Sequence, residues 1–354
     1  MEEEKIRYLQ HYLRGRERPA EEYYSSKIKN QEARLRSCYS ETIEFSSDEL
    51  VRIILVDAAF IIEILLRYYF PELQDENDYI LKEPHLLQAV SCDLGLLENQ
   101  LPFFLLEDLF DPNIINCVGT ERPSIVSLSY HFFKILMHME GTCQTTLERL
   151  HCSGSKDHFV NLLRNVYLPL ELQSGGKIKT LPGMTELQKD GVKFKVGSSK
   201  NLFDIRFLNG VLEIPKIVIG SETEYIVRNI IAYEQCHCHI TENYMSNYVV
   251  FMDRLVNTAQ EVEFLVKKGI VENVVINKLA ADGVIVDATF ANHQGSTLIK
   301  KLVEGVIMDP NNFYFGKLCE NLNEYCISSR NCKKRIAFVV LFLLMVAQLV
   351  QMIR

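Results

Sequence analysis

A chain of 354 residues, 47% of them apolar and 24% charged, carries enough hydrophobic material for a large buried core, which excludes a disordered chain and fits one or two domains. The formal net charge of −8 and a pI near 5.7 provide no general field for nucleic acid, and basic residues gather only in short groups such as Lys333, Lys334 and Arg335. Ten cysteines dispersed over this length read as reduced thiols rather than the dense framework of a small secreted domain.

The chain opens with Met1-Glu2-Glu3-Glu4, acidic where a secretory signal needs a basic segment and an apolar stretch, and no Asn-x-Ser/Thr sequon occurs anywhere. EEEKIRYLQHYLRGR then places Ile6, Leu9 and Leu13 at helical spacing, predicting an amphipathic surface helix. Residues 20–37 are strongly charged and predict a second exposed helix. Ser46 followed by Glu49 is a capping-box signal. Behind it IILVDAAFIIEILL, residues 53–66, is apolar on nearly every face and predicts the central helix of a packed core. Asp57 and Glu63 interrupt that run and lie about 120° apart on a helix, which does not build a shared acid/base pair; Glu63 is spaced to meet Arg67.

DLGLLENQLPFFLLEDLF, residues 93–110, predicts a helix, a tight turn at Glu98-Asn99-Gln100 and a second helix opened by Pro102. The turn's polar groups suit either a ligand or, more commonly, exposed helix ends. Further apolar helices are expected at 124–139 and 158–167. Between 174 and 220 the pattern changes. TELQKDG reads as a short helix ended by Gly191, and VKFKV alternates with period two. LFDIRFL and VLEI flank Asn209-Gly210, a dipeptide suited to a two-residue type I′ hairpin, while Pro215 limits the second strand to an edge or forces a break. Helix returns at Glu222–Cys236 and again over Thr241–Lys268, where Met245, Met252, Ala259 and Val266 recur every seven residues and Gly269 supplies a C-cap.

Two features bear on function. Cys236, His237, Cys238 and His239 follow Glu234 and Gln235 and offer two sulfurs and two imidazoles, but structural zinc sites join two separated pairs, and only His151-Cys152 presents itself as a second one. No metal, cofactor or catalytic residue is therefore assigned. Gly-x-Ser-x-Gly, the P-loop, Gly-x-Gly-x-x-Gly and His-Glu-x-x-His patterns are all absent. At the tail, IAFVVLFLLMVAQLVQMI, residues 336–353, is uncharged and as a helix would extend roughly 27 Å. With Lys333, Lys334 and Arg335 before it and only Arg354 after it, the run predicts a transmembrane anchor with the N-terminal bulk in the cytosol, in the endoplasmic-reticulum or plasma membrane.

The segments KIRYLQHYL, CYSETIEFSSDELVRIILVDAAFIIEILLR, DLGLLENQLPFFLLEDLF, TELQKDGVKFKVG, LFDIRFLNGVLEIPKIVI, RNIIAYEQCH and FMDRLVNTAQEVEFLVKKGIV resemble, in order, the plant family defined by domain of unknown function 247. The resemblance implies a large helical domain with a small strand-containing part, a C-terminal membrane helix in many members, no established catalytic residue, and for some members a part in pollen–stigma self-incompatibility. Members commonly carry further residues before the KIRYL-like segment, so a truncated product is one expectation.

The expected fold is mainly α (α+β): a single helical domain over 1–330 with an antiparallel hairpin element near 190–220, a basic flank at 331–335 and a transmembrane helix at 336–353. The expected function is a membrane-tethered interaction or signalling protein with a membrane lipid and a protein as partners and no nucleic acid. The alternatives are an uncharacterised enzyme drawing on Glu98, Asp57 or the Cys236–His239 cluster, and a nonfunctional truncated member.

Overall fold

The Ser46 hydroxyl accepts from the Glu49 amide while the Glu49 carboxylate accepts from the Ser46 amide, so the capping box forms and starts the central helix of the first half of the chain. The computed structural model describes residues 2–14, 20–76, 78–112, 122–134, 137, 144–152, 157–169, 175–178, 180–220, 222–273 and 288–353, the side chains of 273, 288–294 and 342–353 excepted. The chain is mainly helical, as expected, and divides into two units, Met1–Val166 and Tyr167–Arg354.

In the first unit lie α1 (Glu2–Leu13), α2 (Ala20–Asn30), α3 (Glu32–Arg36), α4 (Ser47–Tyr69), α5 (Tyr79–Lys82), α6 (Pro84–Leu94), α7 (Phe103–Leu109), α8 (Ile125–Phe133), α9 (Gln144–Cys152) and α10 (Phe159–Tyr167), whose last residue begins the second unit. Helix α4 is buried along most of its length, and α1, α2, α7 and α8 pack on it. Phe103, Phe133 and Phe159 interlock edge to face at centroid distances of 5.8 and 5.1 Å, tying α7, α8 and α10 together.

The buried face of α1 differs from the expected Ile6–Leu9–Leu13 stripe. Tyr8 and Tyr12 are the buried residues, whereas Ile6 is 46% exposed. Each tyrosine supplies a large ring and also finds a polar partner: Tyr8 donates to Asp78 at 2.7 Å and Tyr12 to the Leu109 carbonyl at 2.6 Å. The charged stretch 20–37 likewise forms two helices, α2 and α3, and buries Tyr24, Ile28 and Leu35. Of the helix expected over 124–139, α8 covers 125–133; residues 135, 136, 138 and 139 lie outside the described residues.

The second unit contains α11 (Met184–Lys189), β1 (Lys193–Gly197), β2 (Arg206–Leu208), β3 (Val211–Pro215), β4 (Ile217–Ile219), α12 (Thr223–His237), α13 (Tyr244–Leu255), α14 (Ala259–Lys267), β5 (Val271–Asn273), α15 (Ala288–Val303) and α16 (Gly316–Ile353). The hairpin of β2 and β3 is antiparallel, with positive φ at both Asn209 (51°) and Gly210 (77°), as a type I′ turn requires. Two pairings were not expected: β1 joins β3 in parallel, and β4 pairs with β5 in parallel to make a second sheet. Pro215 acts as the break, because β3 is the central strand of the order β1-β3-β2 and ends at that residue.

The continuous helix expected over Thr241–Lys268 is interrupted. Leu255 ends α13, and Thr258 caps α14 in a second capping box with Glu261, whose Oε2 also accepts the Asn257 amide at 2.7 Å. The Thr-x-x-Glu cap prevails over the seven-residue repeat, and Val266, on the expected stripe, is exposed. Gly269, with φ of 71°, closes α14 as expected: its amide bonds the Val266 carbonyl, and that of Ile270 bonds the Leu265 carbonyl.

The expected transmembrane helix is corrected. Residues 336–353 are the distal part of one 38-residue helix, α16, and among the described residues no helix is long and apolar enough to cross a membrane. The reason lies in what shares that helix. Its proximal part carries Lys317, Glu320, Glu324, Arg330, Lys333, Lys334 and Arg335, and it packs on the unit's own body through buried Cys319, Leu322 and Cys326.

Arg330 pairs with Asp190 at 2.6 Å, Ser329 donates to the Asp190 carbonyl at 2.6 Å, and Lys333 donates to the Lys189 carbonyl, so the basic flank belongs to the contact between α16 and the end of α11. At the start of α16 an added Cβ on Gly316 would sit 2.6 Å from backbone atoms of Gly176, which is why no side chain fits there.

Candidate functional site

The densest buried ionic cluster gathers around Arg67 in the first unit. Its side chain is 2% exposed and meets Glu63 at 3.1 Å, Asp75 at 3.0 Å and Asp78 at 3.1 Å, while its guanidinium lies 4.8 Å from the Tyr8 ring centroid. The expected Glu63–Arg67 pair is present on α4. Asp75, Asp78 and Tyr8 were not foreseen, because they converge on Arg67 only once α1 and the segment before α5 have packed against α4.

Burial disfavours the charged guanidinium, but the charge of Glu63 and the hydrogen bonds that Arg67 donates to Asp75, Glu63 and Asp78 outweigh it and raise the Arg67 pKa. Burial also works against ionised Asp75, yet Arg67 prevails and lowers its pKa. The His11 pKa is lowered, first by burial and then by Arg67, so its 3.0 Å contact with Asp75 is that of a neutral imidazole near pH 7. The Tyr8 phenol is raised by burial and by Asp78, which keeps it a donor. The Arg67 guanidinium bridges three carboxylates, and with Tyr8 the cluster pins α1 and the loop before α5 to the central helix. Asp57 faces Lys5 of α1 at 2.7 Å and is not part of the cluster.

The Glu98-Asn99-Gln100 turn resolves toward helix capping. Asn99 donates to the Asp93 carbonyl at 3.1 Å, and Gln100 donates to the carbonyls of Leu94 (2.9 Å) and Leu96 (2.6 Å) while its Oε1 accepts the Val160 amide at 3.2 Å. These amides close the C-terminal end of α6 and join it to α10; Glu98 is exposed.

In the second unit the segment 234–239 is divided between two duties. Glu234 is fully buried and accepts the Met245 amide at 3.0 Å and the Ser246 amide and hydroxyl, each at 2.9 Å, so it serves the first turn of α13. His237 stacks on Tyr233 at 5.3 Å, and His239 Nδ1 lies 2.7 Å from the Thr241 hydroxyl. Cys236 is exposed and Cys238 half-buried. Among the described residues no group of three or more His, Cys, Asp or Glu side chains is arranged to hold a metal ion. His151, on α9 of the first unit, contacts Ser127 at 3.2 Å.

The family model described as DUF247, plant protein of unknown function, matches residues 1–343. The chain is 25% identical to UPF0481 protein At3g47200 of Arabidopsis thaliana over 354 positions, which cover 92% of this chain and 69% of that protein. It is 20% identical to the putative UPF0481 protein At3g02645 of the same plant over 424 positions, covering 92% and 78%. No solved structure matches. The protein thus belongs to the DUF247 family of plant proteins of unknown function.

Proposed function

We propose that this protein is an interaction component that binds a partner protein through the distal part of α16. The observation that carries this reading is the exposure of residues 331–341 on every side of the helix, although Ile336, Phe338, Val339, Val340 and Leu341 are apolar; Phe338 is 70% exposed. A contiguous apolar surface of this kind marks a site that is covered in use. A partner helix or groove meets such a segment through residues spaced three and four apart, here Phe338 with Leu341.

The test places a photocrosslinking residue at position 338 of the full chain in plant cells, with position 208 as a control on an equally exposed leucine elsewhere in the unit. The expected result is a discrete protein adduct from 338, lost when Phe338→Asp and Leu341→Asp are introduced. Adducts to lipid alone, or identical adducts from both positions, would overturn the reading.

A further inference from the structure

Strand β1 stands at the end of the order β1-β3-β2 and so has one unshared edge. The Lys193 amide donates to the Gly210 carbonyl at 2.8 Å, which turns the backbone groups of Lys193, Lys195 and Gly197 toward β3. Alternation along the strand then points those of Phe194 and Val196 outward. The edge is held from behind, because Phe194 is buried and meets Phe264 of α14 edge to face at 5.8 Å. Val196, two residues on, is 46% exposed.

Charge around this edge runs against that of the chain. The protein carries −8 overall, yet residues 189–200 hold Lys189, Lys193, Lys195 and Lys200 against one acid, Asp190, which is paired with Arg330. Lys193 and Lys195 are exposed and form no ion pair among the described residues. Glu213 neighbours Lys195 on the inner side and lies between it and Arg206 in the register, so the charges nearest the free edge are both positive. Lys333 of α16 brings a further cation, its ammonium donating to the Lys189 carbonyl.

We infer that the free edge of β1 is a docking site for an extended acidic segment of a partner protein, which adds to the sheet as a fourth strand. The backbone groups of Phe194 and Val196 supply its hydrogen bonds. Side chains directly opposite one another share a face, so carboxylates of the segment meet Lys193 and Lys195 while its alternate, aliphatic side chains cover Val196. Lysines on an edge discourage pairing with a neutral strand, whereas opposite charges across two strands favour it. The edge therefore selects for carboxylates.

The probe is a fluorescein-labelled peptide, Glu-Val-Glu-Val-Glu-Val-Glu, titrated with the full chain and followed by fluorescence anisotropy. Saturable binding is expected, weakening as salt is raised. It should fall about tenfold or more when Lys193→Glu and Lys195→Glu are combined, a change of exposed side chains that leaves the bonds of β1 to β3 in place. That variant should in turn bind Lys-Val-Lys-Val-Lys-Val-Lys better than the parent does. Methylating the backbone nitrogens of the acidic peptide should abolish binding, since it removes the donors and keeps the charges. No saturation by about 1 mM, equal binding of the methylated peptide or of one with Gln in place of Glu, or binding indifferent to the lysine substitutions would overturn the inference.

Discussion

Replacing Arg67 with Met removes the guanidinium that joins Glu63 and Asp78 in the first unit's buried cluster. The 2% exposed guanidinium lies 3.1 Å from Glu63 and 3.1 Å from the fully buried Asp78, so the loss takes from two interior carboxylates the cation that offsets their charge. Asp75 is 42% exposed and adds little, because water screens it. Breaking a buried pair from one side costs about 3–5 kcal/mol, a large fraction of the roughly 5–15 kcal/mol that holds a typical domain together.

The chain has no Trp, so the assay is urea unfolding followed by tyrosine fluorescence and far-ultraviolet circular dichroism. The deficit in Arg67→Met should shrink on acidification, as those carboxylates take up protons, and should shrink likewise at neutral pH when Asp78→Asn is added. A loss below about 1 kcal/mol that does not change with pH would refute the claim that this cluster pins α1 to α4.

Acid stability of the first unit should follow Asp75 and His11, both of whose pKa values are lowered by folding. For Asp75 the contribution is present above the unfolded carboxylate value and is lost as pH falls through the lower folded value. For His11 the unfolded chain takes its proton first, so stability begins to fall as pH drops below about 6.5. Thermal melts from pH 7 to pH 3 should therefore fall in two stages, with His11→Gln removing the upper one; a flat profile from pH 7 to pH 5 in the parent would contradict this. Gly316→Ala should cost about 1–3 kcal/mol in the second unit, because its new methyl meets the Gly176 backbone at 2.6 Å and no flexible side chain is there to yield. A thermal midpoint unchanged from the parent would show that the approach is looser.

Local signals were legible wherever a short stretch contains its own partner. Ser46 with Glu49, Asn209-Gly210, Gly191, Gly269 and the Glu63–Arg67 spacing each join residues within five positions, and each forms as read. Thr258 with Glu261 is a signal of the same kind that the heptad pattern masked. The roles of candidate site residues were harder to read, because one residue type serves several ends: Gln100 is a helix cap, and Glu234 serves the first turn of the next helix.

By itself the sequence determined that the chain is mainly helical, where α4 starts and α14 stops, and that it belongs with a plant family, because propensity, capping and apolar periodicity act over a few residues. Only the tertiary structure decided that Tyr8 and Asp78 meet Arg67, that β1 lies parallel to β3, and that residues 336–353 continue a helix begun at Gly316. Those outcomes depend on which distant segments bury one another, and their pairing is fixed by shape and charge across the assembled core.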